Sequence, residues 1–315
     1  LDRSHISRLD PRPNANTRVN TGMAAAEPRI DVGDLDEAYA RARAIEAPPL
    51  HDGVRLVWVK GRHIGHHDLA ASADAFAVVG RHTACDVVLS ADPALALRHL
   101  LVRAVRLEDG AIATRVLDLK TSLGFHLDDD EPRRALVATG PVAMRVGRYA
   151  LVALPTGPLP AQRPAPEIMD APRIPLGRPA GSITRVTTIP PAPMLDDIAR
   201  DAAAAGLARV TLRRPDGEEW AQVDLTEAQL DLGVLVGRAD RCEPRLRAVL
   251  TDAVSRTHVL LLRENGVVHA FDVASTQGTF AEDRRVRRVR LPERGGTLRL
   301  AASAPVMLDW HPRED

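Results

Sequence analysis

The sequence predicts an all-β protein made of two similar β-rich units, each preceded by a short helix and joined by a proline-rich linker. Three observations lead there. Short strand-like runs fill residues 54–154 and resume from Ala208, broken throughout by Gly, Asp and Pro turn signals. Stretches of the first run recur, in the same order, in the second. Between them, residues 155–193 contain eleven prolines, a composition that resists folding and reads as a solvated, semi-rigid linker.

Taken in order, residues 1–22 are rich in Asn, Pro, Arg and Ser and are expected to form a disordered arm or an extension ahead of Met23, a candidate start. Residues 34–47, "DLDEAYARARAIEA", predict a helix with Asp34 as its N-cap, ended by Pro48-Pro49. The runs "VRLVWVK", "AFAVVG", "HLLVRAVRL", "IATRVLDL" and "RALVA" follow as strands. In the linker, "GSITRVTTIPPAP" offers Thr184, Thr187 and Thr188 as kinase-accessible positions. A second short helix is expected over 194–206, closing on Gly206. The next unit opens with a hairpin, "ARVTLRRPDGEEWAQVDL", turning at Asp216-Gly217. The expected boundaries are therefore 1–49 for arm and helix, 50–155 for the first unit, 156–194 for the linker and 195–315 for the second unit.

Composition limits the function. With 42 basic and 42 acidic residues the formal charge is zero, and residues 196–315 hold 18 basic against 20 acidic, so no basic field favours nucleic acid or an anionic membrane. The run "RRVRRVR" (284–290) interleaves Val with Arg as a half-buried strand does. Two cysteines, Cys85 and Cys242, are too few for a disulfide framework or a four-Cys metal site, and their matched positions in the repeat suit small core residues. His63, His66 and His67 fall in an extended segment that points neighbours to opposite faces, so no metal or other cofactor is expected. No catalytic signature, signal sequence or 18-residue apolar run is present, and the expectation is a cytoplasmic, non-enzymatic protein. Arg outnumbers Lys (only Lys60 and Lys120) and Ala is abundant, as in proteins from GC-rich bacterial genomes.

The repeat carries the functional signal. "VVGRHTACDVVL" (78–89) aligns with "LVGRADRCEPRL" (235–246), "LALRHLLV" (95–102) with "AVSRTHVLL" (253–261), and "DLKTSLG" (118–124) with "DVASTQG" (272–278). In the second unit the order is Gly237-Arg238, Ser255-Arg256-Thr257-His258, then Ser275-Thr276-Gln277-Gly278-Thr279. This set resembles the forkhead-associated (FHA) domain, whose signature is Gly-Arg, then Ser-Arg-any-His, then Ser-Ser/Thr-Asn-Gly-Thr on loops at one end of a β-sandwich. The chain is thus similar to a tandem FHA protein over roughly 54–154 and 208–310. A phosphate group brings nearly two negative charges and three acceptor oxygens, and an Arg fork with a hydroxyl donor answers both.

The resemblance implies that Arg238 and Ser255 contact phosphate with Arg256 in support. Thr276 and Gln277 would line the pocket, and Gly237, His258 and Gly278 would hold the loops. Gln277 stands where the family prefers Asn. The stretch from Arg238 to Ser255 is two positions longer than its first-unit counterpart and carries Arg241, Arg245 and Arg247, as a wider recognition surface or a solvated insertion. The first unit keeps Gly80-Arg81, His99, Asp118 and Gly124, but Ala96-Leu97 replace Ser-Arg, Leu123 replaces the amide and Phe125 replaces Thr. The expectation is a signalling adaptor. Its second unit binds a threonine-phosphorylated protein, a Ser/Thr kinase or its substrate among the candidates, and its degenerate first unit docks without phosphate. The alternative is a scaffold in which neither unit reads phosphate.

Overall fold

A computed structural model describes residues 32–157, 185–189 and 206–313. The expected N-terminal arm, the second helix over 194–206 and most of the linker lie outside the described residues. The fold is mostly strand, with three short helices among the described residues, as the alternating pattern predicts.

Helix α1 (Val32–Arg43) comes first, starting two residues before the predicted span and ending four before it. Next are β1 (Gly53–Lys60), β2 (His63–Ala70), β3 (Ala77–Gly80), β4 (Val87–Val88), β5 (Leu100–Arg106), β6 (Ile112–Asp118), β7 (Ala135–Thr139), β8 (Val142–Val146) and β9 (Tyr149–Pro155). Strand β10 (Arg185–Ile189) falls inside the expected linker, where the β-branched run Val186-Thr187-Thr188-Ile189 suits a strand, and it pairs antiparallel with β7. The backbone at Thr187 and Thr188 is therefore part of a sheet edge. Two sheets result, ordered β2-β1-β9-β8 and β10-β7-β6-β5-β3-β4.

The second unit contains β11 (Ala208–Arg213), β12 (Glu219–Leu225), helix α2 (Glu227–Leu232), β13 (Val234–Val236), helix α3 (Pro244–Arg247), β14 (Val259–Glu264), β15 (Val267–Asp272), β16 (Thr279–Ala281), β17 (Arg284–Val286), β18 (Arg288–Arg290), β19 (Gly296–Leu300) and β20 (Val306–Pro312). Its sheets run β12-β11-β20-β19-β16-β17 and β13-β14-β15-β18. The predicted hairpin is β11–β12, and α2 begins at a Thr226/Gln229 capping box. Helix α3 occupies the two-residue-longer stretch after Arg238, starting at Pro244.

Alternation along the strands explains the packing. In β5, Leu100, Val102 and Ala104 enter the core between the first unit's two sheets, with Leu56, Val116, Leu136 and Leu151. In β14, Val259 and Leu261 do the same in the second unit, with Val210, Ala270, Leu298 and Leu308. The opposite faces are also apolar and cannot stay in water. One of them, on β1, β8 and β9, is covered by Leu35, Ala38, Tyr39 and Ala42 of α1. The others cover each other. Phe76, Val78, Cys85, Leu101, Leu117 and Leu119 of the first unit form one core with Leu235, Cys242, Leu260, Leu262, Phe271 and Val273 of the second. Equivalent positions of the repeat meet there: Val78 and Leu235, Cys85 and Cys242, Leu101 and Leu260, Leu117 and Phe271, Leu119 and Val273. The two units are thus packed face to face about a pseudo-twofold axis.

Candidate functional site

The site is built on the loops after β13, before β14 and after β15, at one end of the second unit. Backbone bonds tie the loops together: Ala239 N–H donates to Arg256 O (2.7 Å), and Val273 N–H to His258 O (3.0 Å). Gly237 is required because a Cβ there would sit 2.5 Å from Arg256 O. Gly278 turns with φ +83 and lies against the Arg285 side chain.

His258 is fully buried and acts as a two-way strut. Its Nδ1 accepts from Ser255 N–H (3.0 Å) and its Nε2 faces Gly278 O (3.0 Å). Burial holds its pKa below the usual histidine value, so the ring is neutral and Nε2 carries the proton. Asp272 organises the next loop, accepting from Ser275 N–H (2.7 Å), Ser275 Oγ (2.6 Å) and Thr279 Oγ1 (2.8 Å), while Ser275 Oγ accepts from Gly278 N–H (2.9 Å).

On this frame the predicted contact residues converge. Ser255 is mostly buried, and its Oγ accepts from Thr276 N–H at 2.9 Å, leaving the hydroxyl proton to donate elsewhere. Arg238 Nε donates to Val254 O (2.7 Å), which ties the guanidinium to the residue before Ser255, and its Nη1 pairs with the exposed carboxylate of Asp252 (2.8 Å). The pair shows that Arg238 presents a donor edge to an oxyanion. Arg256 and Thr276 have exposed side chains. Gln277 is half-buried, and its Oε1 accepts from Ser303 N–H (3.0 Å) and Ser303 Oγ (2.7 Å), so the longer amide is tethered to a neighbouring loop.

The frame recurs in the first unit. Arg81 Nε donates to Leu95 O (2.6 Å), His99 Nδ1 accepts from Ala96 N–H (3.2 Å), and His99 Nε2 faces Gly124 O (2.8 Å). Thr121 stands in for Ser275, bonded to Asp118 and receiving Gly124 N–H (3.1 Å). A Cβ at Gly80 would lie 2.4 Å from Leu97 O, as at Gly237. What is missing is the hydroxyl at Ala96 and the Arg at Leu97. Among the described residues no cluster of His, Cys, Asp and Glu could hold a metal ion, and no helix is long and apolar enough to cross a membrane.

Residues 234–295, which hold these loops, match the model of the FHA domain. The chain carries an FHA domain. No curated protein matches the chain. Among solved structures it is similar to the Rv1747 FHA-1 domain of Mycobacterium tuberculosis, at 23% identity over 34% of this chain and 98% of that one, with a TM-score of 0.27. It is also similar to the FHA domain of CT664 from Chlamydia trachomatis (15% identity, 32% and 96% covered, TM-score 0.27). The yeast Dun1 FHA domain, solved with a doubly phosphorylated peptide, is a further neighbour (12% identity, 44% and 92% covered, TM-score 0.29).

The FHA loops receive a contact that sequence reasoning missed. Arg98 of the first unit is buried, and its guanidinium reaches across the interface, with Nε donating to Val273 O (2.8 Å) and Ala274 O (3.0 Å) and Nη2 to Ala274 O. Arg241 of the FHA domain returns the contact, its Nη2 donating to Arg98 O (2.8 Å) and Thr257 Oγ1 (2.9 Å). Burial lowers the pKa of both guanidiniums, and each feels repulsion from Arg256. The sequence holds no signal for Arg98: its acceptors lie about 175 residues away and are backbone atoms.

Proposed function

We propose that the protein is a phosphothreonine-dependent adaptor, in which the unit spanning 195–315 reads a threonine-phosphorylated protein and the unit spanning 50–155 is a degenerate FHA-like domain that carries no phosphate. The observation that supports this reading most directly is the Ser255 hydroxyl. Its oxygen is occupied by Thr276 N–H, so its proton is free to donate, and Arg238 is anchored on the carbonyl of Val254, the residue before Ser255. Arg256 adds an exposed charge on the same loop. Each hydrogen bond to a charged group contributes roughly 1.5–3 kcal/mol, so a few of them would give the micromolar affinity that suits a reversible signalling contact.

The first unit keeps the histidine and Asp–Thr struts of the frame and Arg81 but lacks the Ser hydroxyl and the second Arg, and its outer sheet face is occupied by the FHA domain. Its docking partner is thus, in the first place, its own second unit. A Ser/Thr kinase or a kinase substrate fits as the external partner, and no catalytic role is assigned. The test is titration of the full chain with a phosphothreonine peptide library, using phosphoserine and unphosphorylated controls. Arg238→Ala or Ser255→Ala should weaken binding by about ten- to a hundredfold with little change in Tm. Equal binding of phosphorylated and plain peptides by the wild type would refute the assignment.

A further inference from the structure

The loop ends of the two units face the same way. Arg98 and Arg241 join the units at the loops, and further along the strands Arg103 of β5 meets Glu264 at the end of β14, so the units stand side by side. The first unit's loop end is therefore presented next to the Ser255 site, and two of its donors are unused. Arg81 is anchored as Arg238 is: its Nε donates to Leu95 O (2.6 Å), one residue before Ala96, and its backbone N–H to Ala96 O (3.2 Å). Its Nη1 and Nη2 have no hydrogen-bond or ion-pair partner among the described residues, and both are open to solvent.

Ser122 supplies the second donor. It occupies the position of Thr276, whose N–H is taken by the Ser255 hydroxyl (2.9 Å). With Ala96 in place of that serine, Ser122 N–H has no hydrogen-bond partner among the described residues, and Ser122 is exposed. The FHA domain shows what an arginine anchored in this way takes: Arg238 Nη1 meets the carboxylate of Asp252 at 2.8 Å. The first unit has Pro93 at the position of Asp252. The acids between Arg81 and Ala96 are engaged elsewhere. Asp86 accepts from Val78 N–H (2.8 Å) and Arg287 Nη2 (2.7 Å), and buried Asp92 from Ala94 N–H (3.0 Å) and Arg148 N–H (2.8 Å). The loop end thus keeps the part of the frame that holds a carboxylate and supplies no carboxylate of its own.

We infer that the first unit's loop end binds an unmodified acidic side chain, the Asp or Glu of an extended peptide, through Arg81 and Ser122 N–H. The donors select the ligand. A carboxylate brings one charge and two coplanar oxygens, which a guanidinium edge and one N–H can meet. A phosphate brings a second charge and a third acceptor oxygen, and the hydroxyl and guanidinium that would answer them are replaced here by Ala96 and Leu97. Leu97 and Leu123 stand half-buried at the positions of Arg256 and Gln277, so apolar surface flanks the donors and favours a peptide over a free carboxylate. Such a contact is weak alone, on the order of millimolar. Next to an occupied phosphothreonine site it acts at high effective concentration and selects partners that carry both groups. That consequence rests on the phosphothreonine reading; the carboxylate site does not.

The test is NMR of the full chain, read at the Ser122 amide and at Arg81 Nε. A short capped peptide with a single central Glu is titrated beside its Gln counterpart, its phosphothreonine counterpart and sodium acetate. Both signals are expected to shift saturably with the Glu peptide at a Kd on the order of 1 mM, at least about fivefold tighter than acetate, and to stay in place with the Gln peptide. Arg81→Gln should weaken binding by at least about fivefold. Pro93→Asp removes no donor and offers Arg81 the carboxylate that Asp252 offers Arg238, so it should weaken binding by about two- to fivefold. No shift up to about 10 mM, an equal response to the Gln peptide or to acetate, a stronger response to the phosphothreonine peptide, or unchanged binding in either variant would overturn the proposal. The phosphothreonine reading is tested at Arg238 and Ser255, so the two fail separately.

Discussion

Replacing Arg98 by Met separates bracing of the FHA loops from simple packing of the units. The substitution keeps an apolar stem in the interface and deletes three donor contacts, two from Nε and one from Nη2, to the carbonyls of Val273 and Ala274. Those carbonyls are left buried with fewer partners, at about 1–3 kcal/mol each. Release of the guanidinium from its own burial offsets part of that. The expected net destabilisation is about 2–4 kcal/mol, or roughly 3–6 °C in Tm for a protein of this size. The second effect is on binding. Ala274 directly precedes Ser275 and Thr276, whose N–H groups hold the loop to Asp272 and to the Ser255 hydroxyl. A looser loop should weaken phosphothreonine-peptide binding about fivefold at 20 °C, well below Tm, read by fluorescence anisotropy. Leu101→Ala is the control. It opens a cavity in the same interface, costs about 2–5 kcal/mol, and leaves the Arg98 contacts in place, so its Kd should stay at the wild-type value. If both variants lose stability and both keep wild-type affinity, Arg98 holds the units together but does not position the site.

Three other outcomes follow from the same structure. Asp252→Asn removes the carboxylate that occupies Arg238 and should raise phosphopeptide affinity by roughly two- to fivefold, as expected for an exposed pair; lower affinity would mean Asp252 orients Arg238 instead. Cys85 and Cys242 have thiols pushed up to about 11 by burial, so neither should react with Ellman's reagent at pH 8 until urea unfolds the chain. His99 and His258 have pKa values lowered by burial, so the unfolded chain takes up protons that the folded one refuses. Their contribution to stability is complete above about pH 6.5 and is lost as pH falls below it, by up to about 1.4 kcal/mol per pH unit for each ring. Urea titrations at pH 7.5 and 5.5 measure it, and replacing both rings should reduce the dependence, with His82, His126 and His269, also lowered by burial, supplying the remainder.

The parts of this fold that were legible in the sequence are those set by local chemistry. Gly237, Ser255, His258 and Gly278 could be found because a close backbone approach, a hydroxyl donor, a two-sided strut and a left-handed turn each admit few residue types. The interface was harder to see, though its signal was present. Runs such as "HLLVRAVRL" are apolar on both faces, and a strand with one wet face would alternate. Leu101 and Leu117 are the residues that break alternation, and both face the other unit. The Arg-rich run 284–290 is not the single strand its pattern predicts: β17 and β18 lie in different sheets, and Arg287 and Arg288 turn into the junction. Arg287 lies 4.6 Å from the centre of the Phe76 ring and Arg288 bonds Ala73 O. Gln277 could not have been placed either, because the residue that tethers it, Ser303, belongs to a different loop.

The pseudo-twofold packing explains why the first unit can persist without the donors of its own loop end. In a symmetric dimer every interface substitution occurs twice, and a buried Arg that suits one half must also suit the other. Joining the halves in one chain lifts that constraint. Arg98 occupies the position of Thr257, and Arg241 that of Ala84, so the two sides of the axis carry different residues. Arg98 braces Val273 and Ala274, while Arg241 spans from Thr257 to the backbone of Arg98. On the opposite side, Lys120 takes the place of Ala274. Burial lowers the pKa of its ammonium, which has Glu243 of the FHA domain as its nearest compensating charge. Bracing is therefore reciprocal but uneven: Arg98 reaches two carbonyls of the loop that precedes Ser275, whereas Arg241 reaches one carbonyl of the first unit's loop. The first unit contributes a rigid frame and a buried guanidinium to the second, which gives its fold a role that requires none of the missing donors.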